Sequence, residues 1–283
     1  MSVKVSVLAD DSVLFPSRLL AQHGVSYFIE VRRKEGSVNI LLDTGIYGKV
    51  VVDNAKELGI DLSKVDIIFL THCHYDHTEG LIDVLKAMKK EVPIVAHPDL
   101  FRPCYVKRPS IKYIGVPSNV NKEEIEKNGG KLVLVNHPFE IAKGIWSTGE
   151  VPRITDFEDV GVEAFTIKNG KWVKDEMLDD MSLIIEIEDG VLVVAGCSHA
   201  GIINILEHAK RITKRDRILG IIGGLHLIKA SEERLSKTTE KLKEMKVERI
   251  YAGHCTGFKA QYKLYKEFRE NFKPLATGME IEF

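Results

Sequence analysis

Between Thr71 and Gly80 the chain reads Thr-His-Cys-His-Tyr-Asp-His-Thr-Glu-Gly, so His72, His74, Asp76 and His77 bring four potential ligands into six residues. Neutral imidazole and carboxylate are the common nitrogen and oxygen donors to zinc, iron and manganese. The run directly follows the apolar stretch Val65–Leu70, which reads as a buried strand. A core must satisfy or avoid such polar groups, whereas a strand end can offer them to an open edge. In extended backbone His72 and His74 point to one side and Cys73 to the other. Asp76 and His77 then come round the following turn. One loop thus offers four ligands, more naturally to two ions than to one.

Three later histidines repeat the arrangement. His199, His226 and His254 each follow an apolar strand and sit in a glycine-containing turn: Gly196-Cys197-Ser198-His199-Ala200-Gly201, Gly223-Gly224-Leu225-His226 and Gly253-His254-Cys255-Thr256-Gly257. Strand ends of one sheet share an edge, where α/β proteins place ligand sites. Cys73, Cys197 and Cys255 all lie within two residues of a candidate ligand. They read as small side chains filling space beside the site, or else as thiolates for an iron or redox centre, although no CxxC spacing supports a cluster. Ser198 does not make a nucleophile elbow, because the second glycine is one residue too far along. Its turn opens a helix, so Ser198 and the backbone there are candidates to hold a phosphate or carboxylate. Lys107 and Arg108, with Lys112 nearby, are candidate substrate cations, the alternative being a solvated basic face.

These groups need a frame to position them. Val3–Leu8, Val25–Arg33 and Ser37–Leu42 read as strands, the last two joined by a turn at Lys34-Glu35-Gly36. Asp10–Gly24 reads as a loop with a short helical turn near the site. Val50–Leu58 and Leu81–Lys90 have helical spacing, and Val92–Ala96 is a buried strand. Asn121–Lys127 is a short helix with a capping box, and Asn169-Gly170 marks a hairpin. Met181–Glu188 and Val191–Ala195 form a second, apolar hairpin. Helices follow at Ile202–Ile212 and Ser231–Met245, with strands at Arg217–Ile222 and Arg249–Ala252. A last helix runs to about Phe268, and a terminal strand spans Met279–Phe283. Residues 1–283 read as one domain with an insertion or irregular wall at about 98–177.

Composition narrows the function. The 283 residues are 44% hydrophobic and 29% charged, as in an ordinary soluble globular protein. A net charge of −1 leaves no electrostatic footprint for nucleic acid or an anionic membrane. No apolar run approaches the roughly 18 residues of a membrane span. The start alternates like a strand and lacks a signal-peptide core, so a cytoplasmic location with reduced cysteines is expected. The expected partner is a small-molecule substrate; oligomeric state leaves no mark on the sequence.

His72-x-His74-x-Asp76-His77 resembles the signature of the metallo-β-lactamase superfamily. The resemblance implies an α+β fold, the four-layer αβ/βα sandwich, with one or two divalent ions at one edge. Zinc is the first expectation and iron or manganese the alternatives. It implies that His72 and His74 hold a first ion and that Asp76, His77 and His254 hold a second. Asp43-Thr44-Gly45 matches a superfamily turn that supports the histidine loop, which makes Asp43 a support for a ligand or an ordinary strand-end turn. In Val193-Val194-Ala195-Gly196-Cys197 a cysteine stands where the family bridges its ions with aspartate, and Cys197 is expected behind the ligands. The third ligand of the first ion is then His199, the preferred reading, or an upstream carboxylate from Asp175, Glu176 or Asp180. Asp76 and His226 are the catalytic candidates, His226 facing substrate or serving as an accessory ligand. The three glycine–histidine turns are similar to a narrower branch, the 7,8-dihydropterin-6-ylmethyl-4-(β-D-ribofuranosyl)aminobenzene 5′-phosphate synthases. That likeness implies a transferase joining a pterin to an aryl amine with loss of diphosphate; hydrolysis is the other enzymatic expectation, and an iron-binding redox or sensor protein is the rival from another class.

Overall fold

Two seven-stranded sheets face each other, and each changes from antiparallel to parallel partway across. In the computed structural model, which describes residues 1–34 and 36–283, the first sheet runs Glu280–Glu282, Ser2–Ala9, Ser26–Arg33, Gly36–Leu42, Ile67–Phe69, Val92–Ala96, Gly130–Leu134. Its first four strands are antiparallel neighbours and the rest join in parallel. The second runs Phe272–Pro274, Ile250–Gly253, Arg217–Gly224, Gly190–Ala195, Ser182–Ile187, Ile145–Ser147, Phe139–Ala142. There the first four strands are parallel and the others antiparallel. The turn expected at Lys34-Glu35-Gly36 centres on Glu35 and lies outside the described residues.

Three apolar clusters define four layers. Val5, Val7, Ile29, Ile40 and Leu42 of the first sheet meet Leu183, Ile185, Leu192 and Val194 of the second. The opposite face of the first sheet, through Leu41, Ile68 and Ile94, packs on the helices Gly48–Glu57, Leu81–Met88 and Lys122–Lys127. Val191, Val193, Ile221 and Ile250 of the second pack on Ile202–Thr213, Glu232–Glu244 and Phe258–Phe268. Gly-Val-Leu-Val-Val-Ala at 190–195 is apolar on both faces because both faces are covered. This helix–sheet–sheet–helix sandwich is the expected fold.

Local sequence accounts for the helix ends. Asn121 accepts a hydrogen bond from Glu124 N–H at 3.0 Å and Ser231 one from Arg234 N–H at 3.1 Å. The segment 98–177 contributes Gly130–Leu134 to the edge of the first sheet and Phe139–Ala142 and Ile145–Ser147 to the edge of the second. It also supplies a separate sheet ordered Lys171–Lys174, Ala164–Lys168, Tyr105–Val106, Lys112–Tyr113.

Some expectations need correction. Residues 10–24 contain no helical turn. Asn54 holds that loop instead, its side chain accepting from Leu20 N–H at 2.9 Å and donating to the Leu8 and Leu20 carbonyls at 2.8 Å each. A long-range side chain thus satisfies backbone groups that a helix would have paired locally. The strand before the motif is only Ile67–Phe69, and beyond the strand expected at Arg249–Ala252 a further one, Phe272–Pro274, pairs beside it in parallel.

Candidate metal centre

The parallel strands of both sheets end at one rim, and the histidines are gathered there. Asp43 follows Gly36–Leu42 in a left-handed conformation, φ 54°. Its fully buried carboxylate accepts from Thr71 N–H at 2.8 Å and Thr71 Oγ1–H at 2.7 Å, and lies 2.6 Å from His77 Nδ1. Thr71 has spent its hydroxyl proton on Asp43, so its oxygen accepts from His72 Nδ1–H at 2.9 Å. The Nε2 atoms of His72 and His77 are thereby left facing the rim.

The second sheet supplies the remainder. His199 Nδ1–H donates to the Val160 carbonyl at 2.8 Å, while its buried Nε2 has no partner. The His199 ring centre lies 4.9 Å from those of both His72 and His74. His72 Nε2 and His74 Nδ1 approach to 3.1 Å, and His74 Nε2 lies 3.8 Å from Cys104 Sγ. On the other side Asp76 Oδ2 lies 3.5 Å from His77 Nε2 and 3.2 Å from His254 Nε2. His254 turns its Nδ1–H to Asp11 at 3.0 Å.

Electrostatics separates the two halves. Burial, then the neighbouring imidazoles, hold His72 and His199 well below the usual histidine range, so both are neutral donors. Burial opposes charge on His77 as well, yet Asp76 and Asp43 outweigh it and raise that imidazole to about 9. His254 is likewise raised against burial, by Asp11 and Asp76. Neutral His72 and His199 beside an ionised Asp76, with His77 and His254 each giving up a proton to an incoming ion, suit a cation held by His72, His74 and His199 on one side and by Asp76, His77 and His254 on the other.

Cys197, expected behind the ligands, has its thiol among them, 3.2 Å from His77 Nε2. Its sulfur falls within 4.8 Å of donor atoms of both His72 with His199 and His77 with His254. Of the alternative carboxylates, Asp175 pairs with Arg102 at 2.9 Å, Asp180 accepts from Ala200 N–H at 2.8 Å through Oδ2 while its buried Oδ1 has no partner, and Glu176 is exposed. Ser198 is buried, its hydroxyl donating to the Gly224 carbonyl at 2.7 Å. Lys107 lies 3.4 Å over the Phe165 ring, and neither it nor Arg108 lines the cavity above the histidines.

Several contributors had no sequence signal. Asp11 and His23 stand beside His254, with His23 Nε2 3.5 Å from Asp76 Oδ2. Gly24, at φ 98°, lets their loop press on the Asp76 carbonyl, which any Cβ would overlap. Asp179 accepts from Cys73 N–H at 2.8 Å, and Arg153 donates to the His199 carbonyl at 2.8 Å. Lys229 is the cationic side chain at the cavity, a space of about 370 Å³ walled also by Val106, Ile114, Val162 and Ile228.

Asp10 is a titrating neighbour outside this ring. Burial lifts its carboxyl from 3.8 to about 7, with His254 opposing. Between those pH values the folded protein holds a proton that the unfolded chain has released, so this group's contribution to stability falls as pH rises and levels off above 7. Asp10→Asn, neutral throughout, is expected to match the parent near pH 4 and exceed it by about 4 kcal/mol at pH 8, at about 1.4 kcal/mol per pH unit. Urea unfolding at the two pH values measures it.

The chain belongs to the metallo-β-lactamase superfamily: the superfamily's profile matches residues 21–254, and the sandwich is its fold. Within the superfamily it is 37% identical, over all of its own length and 97% of the relative's, to 7,8-dihydropterin-6-methyl-4-(β-D-ribofuranosyl)-aminobenzene-5′-phosphate synthase of Methanocaldococcus jannaschii. An uncharacterised protein of the same organism is 35% identical over 92% of this chain and 93% of its own. A solved metal-dependent hydrolase of the β-lactamase superfamily superposes with a TM-score of 0.81 at 28% identity, covering 99% of both chains.

Proposed function

We propose that the chain is a metal-dependent transferase that joins a pterin methyl carbon to an aryl amine bearing a ribose phosphate, releasing diphosphate. The supporting observation is the convergence of six imidazole and carboxylate donors beneath one cavity, in a chain akin over its full length to a synthase of that name. When bound, divalent ions such as zinc supply electrostatic stabilisation for charge developing on the departing diphosphate.

The chain's own residues bind and orient. Ile114, Val162 and Ile228 offer apolar walls for a flat heterocycle, and Lys229 offers a counter-charge for phosphate oxygens. Asp43 and Asp11 fix the tautomers of His77 and His254. In the reaction the amine nitrogen forms a bond to the methyl carbon as the carbon–oxygen bond to diphosphate breaks, and the amine proton goes to solvent.

Metal-depleted protein, reloaded with zinc, manganese or iron(II), is to be given the pterin methyl diphosphate with and without the aryl amine. Release of diphosphate that requires the amine is the expected result. Release independent of the amine would make the chain a hydrolase, the activity ascribed to the 28%-identical structural relative. No release with any metal would overturn the proposal.

A further inference from the structure

We propose that Cys197, His226 and Cys255 form a separate thiolate–imidazole site for a thiophilic cation such as zinc or iron(II), joined to the six-donor centre through the Cys197 sulfur. The three side chains come from the ends of three successive parallel strands, Gly190–Ala195, Arg217–Gly224 and Ile250–Gly253. Their donor atoms all lie within 4.8 Å of one another. His226 and Cys255 belong to neither the His72/His74/His199 group nor the Asp76/His77/His254 group, so Cys197 is the one donor the site shares with the proposed reaction centre.

Three further observations favour a ligand role over packing. His226 Nδ1 is buried and has no hydrogen-bond partner, a costly arrangement for an imidazole nitrogen unless something else engages the ring. The backbone is shaped around these groups: a Cβ on Gly224 would come within 2.5 Å of Cys255 Sγ, and one on Gly161 would overlap the His226 ring. Finally, the Cys255 thiol meets the Cys197 carbonyl at 3.6 Å, a weak contact for a buried sulfur, and otherwise faces the Cys197 thiol and the His226 ring. All three residues border the cavity. Two sulfurs and one imidazole leave a fourth position open toward it, the composition of an open zinc site. Soft sulfur donors would also sort the ions, favouring zinc or iron(II) here over manganese.

Cobalt(II) tests the site, because thiolate–cobalt charge-transfer absorption reports sulfur coordination independently of turnover. Apo-protein titrated with cobalt is expected to develop this absorption. Cys255→Ser should lower bound cobalt by about one equivalent and reduce the absorption to about half or less, the remainder coming from Cys197 on the six-donor centre. His72→Ala should lower bound cobalt yet keep the thiolate absorption. Full absorption and full stoichiometry in Cys255→Ser would overturn the proposal, as would loss of the absorption in His72→Ala. Should Cys255→Ser fail to fold, cadmium-113 NMR of the unaltered protein decides: a resonance shifted by two sulfur ligands supports the site, and resonances with at most one sulfur ligand refute it.

Discussion

Replacing His199 by alanine is expected to remove the ion held with His72 and His74 and to lower turnover by at least about a hundred-fold, the upper range for losing even an outer-sphere partner. His199 presents a bare, buried Nε2 to those two rings while its Nδ1–H is committed to Val160. The surrounding turn is fixed by other atoms: Arg153 donates to the His199 carbonyl, and Ser198 to Gly224. Deleting the imidazole therefore leaves the backbone held, and the space is polar enough for water to fill. Metal content after dialysis should fall by one equivalent while the thermal midpoint of the apo-protein shifts little. The companion variant is Asp180→Asn. If Asp180 were the third ligand, it would lose the ion and His199→Ala would keep it, reversing the assignment.

What the sequence could show here follows from the range of each interaction. His72, His74, Asp76 and His77 were legible because their convergence is local, a matter of strand alternation and one turn. His199, His226 and His254 were legible because parallel strands place equivalent ends on one rim. Asp11 and His23 were not, since they arrive on an irregular loop held by Asn54, 34 residues away from Leu20. Lys107 and Arg108 drew notice as a basic run. Lys107, however, sits on Phe165 and Trp172, and the lone Lys229 borders the cavity instead. Gly130–Leu134, Phe139–Ala142 and Ile145–Ser147 escaped recognition as edge strands because they are only three to five residues long, too short for periodicity to register. The thiol of Cys197 stands among the donors for a geometric reason that no spacing reveals: glycine at 196 lets the strand end pass against Thr71 and Asp43, where a Cβ would lie 2.9 Å from Asp43 Oδ2.

Asp43 carries the second large prediction, because one buried carboxylate sets donors in both halves of the centre. It fixes His77 directly and His72 through the Thr71 hydroxyl. Asp43→Ala would strand the Thr71 N–H, the Thr71 hydroxyl and the His77 Nδ1–H in a fully buried place, a loss of about 3–5 kcal/mol for breaking a buried charged network. Alanine also tolerates the left-handed backbone poorly, adding about 1 kcal/mol. Asp43→Asn separates these effects, since asparagine accepts that backbone conformation and nearly preserves volume. Its amide has one accepting oxygen where the carboxylate has two, so either Thr71 or His77 must face an NH₂ group. The expected outcome is a smaller stability loss, about 1–3 kcal/mol, together with a ten- to hundred-fold weaker metal affinity, roughly the size associated with ligand-orienting partners. Denaturant unfolding of the apo-protein gives the first quantity and competition against a chromophoric chelator the second. If Asp43→Asn kept full metal affinity while losing stability, the carboxylate would be holding the loop without setting the imidazoles, and the tautomers of His72 and His77 would have to be fixed by the ions themselves.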